Sequence, residues 1–350
     1  MSTDVPSAAV SRYRFTSRDV PVLILLAAHL PFAAIYYWRL WSLEHYQFFP
    51  FAIGIFFWQL LSRRQPEATQ WRWGSKLLVV GDLICLAGAV ALPTPSPWLA
   101  TTGMILLLSA WALASREEGY RQSLGTLALL PLMTLRLPGL MDVDLVHWLQ
   151  RVTTSVSSGA LHLMGMLHYR EGNILKFPEK SFLVEEACSG VNSVFTILFV
   201  AALVICLRQR ALIHGLCLLF LGFLFAGGMN VVRILTIALA WEKYKVDLST
   251  GTAHDVLGYF CLAIAAILLL SADMFLHILT APIPNVTRPG AVLKNPFIRL
   301  WNRWLTVVPV KDLVHPATET NISPKLLKAN FGLCGIAILL QAWLIKSGGL

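Results

Sequence analysis

Three residues of unusual setting carry the chemistry this sequence offers. Cys188 lies in Glu185-Glu186-Ala187-Cys188-Ser189-Gly190-Val191-Asn192-Ser193, a polar stretch directly ahead of a long apolar run. Unpaired amide groups at a helix start favour negative charge, and a thiol placed there ionises more readily. Gly190 lets a backbone or a substrate carbonyl approach closely. Arg233 lies in Met229-Asn230-Val231-Val232-Arg233-Ile234, within an apolar run. An arginine inside a membrane helix is costly and marks a functional site by default. Asn230, three residues earlier, falls on the same helical face. His254 opens the next apolar run, followed by Asp255, which reads as a cap for that helix. A thiolate nucleophile needs a proton acceptor, and histidine suits that role near neutral pH. The tetrahedral intermediate of acyl transfer carries an oxyanion, and a fixed arginine stabilises it without losing its own proton. Each residue has a plainer reading too. A lone cysteine near a helix start is often structural, a buried arginine can hold carbonyls or a carboxylate, and an interfacial histidine can touch a lipid headgroup.

The elements that must position these residues are membrane helices. Hydrophobic types make up 56% of the 350 residues and charged types 13%, against roughly a quarter charged in a soluble domain. Apolar runs near twenty residues recur, the length needed to cross the hydrocarbon. We place spans at about 20–41, 47–62, 76–93, 97–115, 121–138, 190–207, 212–240, 255–279 and 329–346. The expected fold is all-α: a polytopic bundle of about eight or nine transmembrane helices with a small hairpin on its outer face. The domain reading is a cytoplasmic tail (1–19), a membrane-embedded catalytic domain (20–280), a basic cytoplasmic segment (281–328) and a C-terminal transmembrane helix (329–350). The basic residues before the first span, with no clear small-residue cleavage site after it, read as a tail rather than a signal peptide.

The formal net charge of +9 is a topology signal. With the N-terminus inside, eighteen Lys and Arg fall in inside segments and seven in outside ones, as the positive-inside rule demands. Nucleic acid is therefore not an expected partner, whereas membrane lipids are. The same topology brings Cys188, Arg233 and His254 to the outer face, with Arg233 about 12 Å below the helix end at Trp241. The outer segment 139–189 opens with an amphipathic stretch, Asp144 to Met166, carrying Leu145, Trp148, Leu149, Val152 and Val156 at helical spacing and expected along the interface. Asn173–Pro178 and Ser181–Val184 then alternate like two short strands around a turn. The segment 280–328, with Trp301 and Trp304, reads as an interfacial stretch for anionic headgroups or as a linker.

With the spans in place, Ala187-Cys188-Ser189-Gly190-Val191-Asn192-Ser193, then Asn230-Val231-Val232-Arg233-Ile234, then His254 with Gly258, resemble the signature of the exosortase/archaeosortase family. The order Cys, Arg, His agrees, as do separations of 45 and 21 residues. The close match covers roughly 170–270. Members are multi-pass enzymes of the cytoplasmic membrane, understood to recognise C-terminal tails built from a short motif such as Pro-Glu-Pro, an apolar helix and a basic cluster. The resemblance implies a cysteine protease or transpeptidase acting on exported proteins that carry such sorting tails, with no cofactor. It implies Cys188 as nucleophile, Arg233 as stabiliser of the intermediate and His254 as proton carrier. Glu185, Glu186, Ser189, Gly190, Asn192 and Asn230 are candidates for supporting or substrate-binding roles. The segment 281–328 lies outside the signature.

Other chemistries fit less well. No Gly-x-Ser-Gly and no His-Glu-x-x-His occurs. Val80-Gly81-Asp82 is half of an aspartyl-protease motif, and Asp82 is expected to pair with Arg136 or with a group on another span. His147, His162 and His168 recur in the outer segment, where solvated or interfacial histidines are the expectation and a metal site the alternative. Cys85, Cys206, Cys217, Cys261 and Cys334 sit in or beside apolar runs as small hydrophobes, and no CxxC pair points to zinc or a disulfide framework. The rival function is a non-enzymatic transporter or lipid-binding protein in which Arg233 grips an anionic headgroup and His254 senses pH.

Overall fold

The computed structural model describes residues 17, 19–64, 69–115, 124–139, 141–183, 191–281, 297 and 300. The described chain is helical apart from one small sheet: α1 (Val20–Trp41), α2 (Phe49–Arg63), α3 (Trp73–Ala91), α4 (Pro97–Ala114), α5 (Leu129–Leu132), α6 (Met141–Leu163), β1 (Tyr169–Glu171), β2 (Ile174–Lys176), β3 (Ser181–Leu183), α7 (Val191–Arg208), α8 (Leu212–Tyr244) and α9 (Gly251–Leu279). Six of the described helices, α1, α3, α4, α7, α8 and α9, are long and apolar enough to cross a membrane. The chain is thus an all-α membrane protein with a small three-stranded sheet.

Two expected spans take another form. The 47–62 stretch becomes α2, whose 15 residues reach only about 22 Å at helical rise, short of the hydrocarbon thickness. In the 121–138 stretch the described residues form a 3-10 turn (Gly125–Ala128), the four-residue α5 and further turns. Pro131 removes a helical donor there, and the Thr134 hydroxyl caps the Pro131 carbonyl at 2.7 Å. The expected span at 329–346 lies outside the described residues.

Two compact units emerge, residues 1–149 with 202–210, and 150–201 with 211–350. In the first, α4 is the central helix. Its Leu107, Leu108 and Trp111 are buried, while Ile24, Leu30 and Trp38 of α1 and Ile84 of α3 are exposed apolar groups suited to lipid. Gly103 lets α4 approach α3 closely: a methyl there would stand 3.0 Å from the Asp82 carbonyl oxygen. Asp19, just before α1, receives a bidentate pair of bonds from Arg64 at 2.7 and 3.1 Å and a third from Trp111 Nε1 at 3.2 Å. Arg64 is therefore a buried tie between helix ends rather than a free basic residue.

In the second unit the sheet runs β1-β2-β3, antiparallel throughout, with Leu175 opposite Phe182. The expected pair of strands is β2 and β3; β1 is an addition, joined to β2 through Gly172 in the left-handed region (φ 59°). Leu175, Phe177 and Phe182 pack on Leu161 of α6 and on Ile234, Ile237 and Ala238 of α8. The amphipathic stretch forms helix α6. Trp148, Val152 and Val156 are exposed, whereas Gln150, Thr153, Thr154 and Ser157 are buried. Leu149 of the apolar set is buried as well, and the Thr154 hydroxyl donates to the Gln150 carbonyl at 2.7 Å.

Candidate functional site

The site is built on the antiparallel pair α8 and α9. Lys245 ends α8 in the left-handed conformation (φ 56°), and Gly251 (φ 70°) opens α9 six residues later. The reversal is pinned by the sheet. Lys180 in the β2–β3 turn pairs with Asp247 and lies 4.7 Å over the Trp241 ring. Lys245 bonds Glu179 at 2.6 Å. The ammonium of Lys180, helped by Ser249, holds the Asp247 carboxyl down at about 2, well below its ordinary range.

From this anchored turn, α8 carries Arg233 and α9 carries His254 into contact. Arg233 Nη2 lies 2.8 Å from His254 Nε2, 3.2 Å from Nδ1 and 3.3 Å from the His254 carbonyl oxygen. A guanidinium only donates, so His254 offers it the ring edge and the backbone carbonyl as acceptors. The guanidinium lies against Gly258, one turn beyond His254. A methyl there would be 2.9 Å from Nη2 and 3.0 Å from Cζ, so the glycine makes room for the cation. Arg233 and Asn230 are both buried, at 7% and 4% exposure. Arg233 Nε and Asn230 Nδ2 are buried donors without a hydrogen-bond partner among the described residues. Such groups are costly unless a ligand uses them.

Gly222 fixes the depth of the neighbouring helix. It faces Ile197 and Ala201 of α7 and Leu269 of α9. Eleven residues along α8 from that level lead to Arg233, and eleven back along α9 lead to Gly258, in agreement with their contact. The described part of α7 begins at Val191. Asn192 is in its first turn, where its carbonyl accepts from Thr196 at 2.7 Å. Cys188, Glu185, Glu186, Ser189 and Gly190 lie outside the described residues.

Other expectations resolve differently. Asp255 does not cap α9, which begins at Gly251 with Thr250 before it; it stands beside His254 Nδ1 at 3.4 Å, half exposed. Asp82 pairs not with Arg136 but with a group on another span, His29 of α1, at 2.9 Å with both side chains fully buried. Arg136 instead donates to Asp142 at 2.5 Å. His168 uses both ring nitrogens, on Ser158 Oγ at 2.8 Å and the Met166 carbonyl at 2.9 Å. Among the described residues no three His, Cys, Asp or Glu side chains gather as a metal site. The sequence reading missed a second buried pair, His214 with Asp273, at 2.8 Å between α8 and α9. Its signal was available, since each is a polar residue inside an apolar run.

Comparison with known proteins adds one match. No curated protein and no solved structure matches the chain. The family model described as Transmembrane exosortase (Exosortase_EpsH) matches residues 37–271, more than half of the chain, and that stretch contains the α8–α9 site. The protein therefore belongs to the transmembrane exosortase family.

Proposed function

We propose that this exosortase-family protein is a cysteine transpeptidase that cleaves C-terminal sorting tails of exported proteins at the outer face of the cytoplasmic membrane. The supporting observation is the partly buried Arg233–His254 contact at 2.8 Å, in a chain of this family that carries Cys188 three residues before α7 in the sequence. In this reading His254 takes the Cys188 thiol proton and the thiolate attacks the scissile carbonyl carbon. The carbonyl electrons move to oxygen, and Arg233 with Asn230 receives that oxyanion through their unpartnered donors. Collapse expels the amine of the tail, which leaves with the proton held by His254, and a thioester remains on Cys188. An acceptor amine or water then attacks the thioester, gives its proton to His254 and regenerates the thiol. In this reading Gly190 leaves room for the substrate backbone, Ser189 and Asn192 serve in support or in substrate binding, and Glu185 and Glu186 hold His254 or read the tail. The N-terminus is cytoplasmic, and with α2 and the 329–346 stretch the membrane domain reaches eight helices. Sorting-tail proteins and membrane lipids are its partners.

The test is mass spectrometry of exported proteins from cells carrying wild-type protein or Cys188→Ser. Proteins that lose an apolar C-terminal tail only in the wild type establish processing and identify the substrates, and added mass at the new terminus establishes transfer. Identical processing in both strains removes Cys188 as nucleophile and returns the protein to the transporter or lipid-binding reading. The expected loss with serine is several orders of magnitude in rate.

A further inference from the structure

A cavity of about 430 Å³ lies in the first unit between the end of α1, the α3–α4 turn and the segment after α5. Its size is that of a ligand pocket. Its lining includes Arg39, Arg136, Tyr36, Ser96 and Trp98, and among the described residues no carboxylate lines it. The cationic wall is constructed rather than incidental. The Arg136 backbone is held at both ends, its N–H donating to Tyr36 Oη at 2.6 Å and its carbonyl accepting from Trp98 Nε1 at 2.8 Å. Its guanidinium is oriented through Nε by Asp142, a side chain 3% exposed, while remaining 35% exposed itself. One edge of the fork is therefore committed and the rest stays accessible. Arg39, in the last turn of α1, is exposed and its guanidinium has no hydrogen-bond or ion-pair partner among the described residues. Ser96 caps α4 by accepting from Leu99 N–H at 3.3 Å, which leaves its own O–H to donate. Asp142 offsets one of the two guanidinium charges, so the pocket keeps about one net positive charge.

We propose that this pocket binds the phosphate group of an anionic ligand, with a membrane phospholipid as the source. Planar guanidinium groups match phosphate oxygens through paired donors. The location selects the lipid. The cavity opens at the ends of three membrane-length helices, α1, α3 and α4. Trp38 and Trp41, exposed at the end of α1, are the residue type that collects at the membrane–water boundary. Leu40, Leu43 and Leu92 in the lining suit the glycerol and upper acyl carbons beneath a headgroup. This site is separate in sequence and chemistry from the α8–α9 site and does not depend on the reaction proposed there.

The experiment uses the full chain purified in neutral detergent, with lipid retention read by native mass spectrometry. Phosphatidylglycerol, phosphatidylcholine and inorganic phosphate are the probes, and wild type, Arg39→Gln and Pro95→Glu are the proteins. Retention of phosphatidylglycerol over phosphatidylcholine by the wild type, about tenfold weaker in Arg39→Gln and weaker still with a carboxylate at position 95, is the expected result. If inorganic phosphate displaces phosphatidylglycerol and its own binding shows the same Arg39 dependence, the phosphate site stands and a soluble anion is its ligand. A wild type that neither prefers phosphatidylglycerol nor binds phosphate overturns the proposal. So do Arg39→Gln and Pro95→Glu proteins that bind as the wild type does.

Discussion

Gly258→Ala separates a stability role from a catalytic one in the α8–α9 site, because the two predict opposite signs. Gly258 is inside α9, and alanine in a helix interior is favoured over glycine by about 1 kcal/mol. The added methyl, however, would sit 2.9 Å from Arg233 Nη2 and 3.0 Å from Cζ. What yields is the far end of a flexible side chain, so the guanidinium swings away and the helix backbone stays. That movement breaks the 2.8 Å contact with His254 Nε2. A displacement near 1 Å within a reacting constellation costs about 100-fold in rate, equivalent to about 2.7 kcal/mol of transition-state stabilisation. The expected variant is as heat-stable as the wild type, or slightly more so, and about 100-fold slower. The assay is cleavage of a purified exported protein bearing its own tail, read as kcat/KM, beside thermal unfolding in the same detergent. Wild-type kcat/KM in a folded Gly258→Ala protein would refute the reasoning, since the guanidinium could not then be placed where the chemistry requires it. Loss of folding would show instead that α9 cannot yield at this point.

Three further outcomes are expected. Arg233→Lys should remain at least tenfold impaired in the same assay, because a point charge does not reproduce a fork that meets both His254 and a second acceptor; full activity would reduce Arg233 to a generic cation. Asp82→Leu strands the buried His29, whose Nδ1 is engaged by the Leu25 carbonyl at 2.7 Å, and should cost about 1–3 kcal/mol of stability. Thermal unfolding of Asp82→Leu, His29→Leu and the double variant forms a cycle, and a double variant no better than the sum of the singles would deny the pairing. The Asp247 carboxyl, held down at about 2 against an ordinary 3.8, contributes to the β2–β3 clasp at pH values above 3.8, and that contribution disappears as pH falls through about 2. Carbon NMR of labelled Asp247 should show titration near 2 that rises toward the ordinary value in Lys180→Gln; an unchanged midpoint would mean that Lys180 does not hold it.

The sequence by itself determined the class of the protein and singled out Arg233 and His254, which the structure brings into contact. Charge depletion and twenty-residue apolar runs require a membrane protein, because an unpaired backbone group in lipid is too costly for anything but helices there. An arginine within such a run announces itself for the same reason, and Arg233 and His254 were legible from position alone. The strands around Leu175 and Phe182 were legible from alternation. What sequence patterning misread were features set by neighbours. Pro131 and the Thr134 cap decide that 124–139 turns rather than spans, and the 15 residues of α2 fall short of the hydrocarbon thickness. Periodicity reports that a helix has two faces, but it carries no information about which face the rest of the molecule covers. Pairing was likewise a tertiary matter. Asp82 announces a need for a partner, yet only the packing of α1 on its neighbours supplies His29 rather than Arg136. Gly258 shows the same division. In the sequence it is a helix glycine with a small penalty, and only the approach of α8 shows that the space it leaves is occupied by the Arg233 guanidinium.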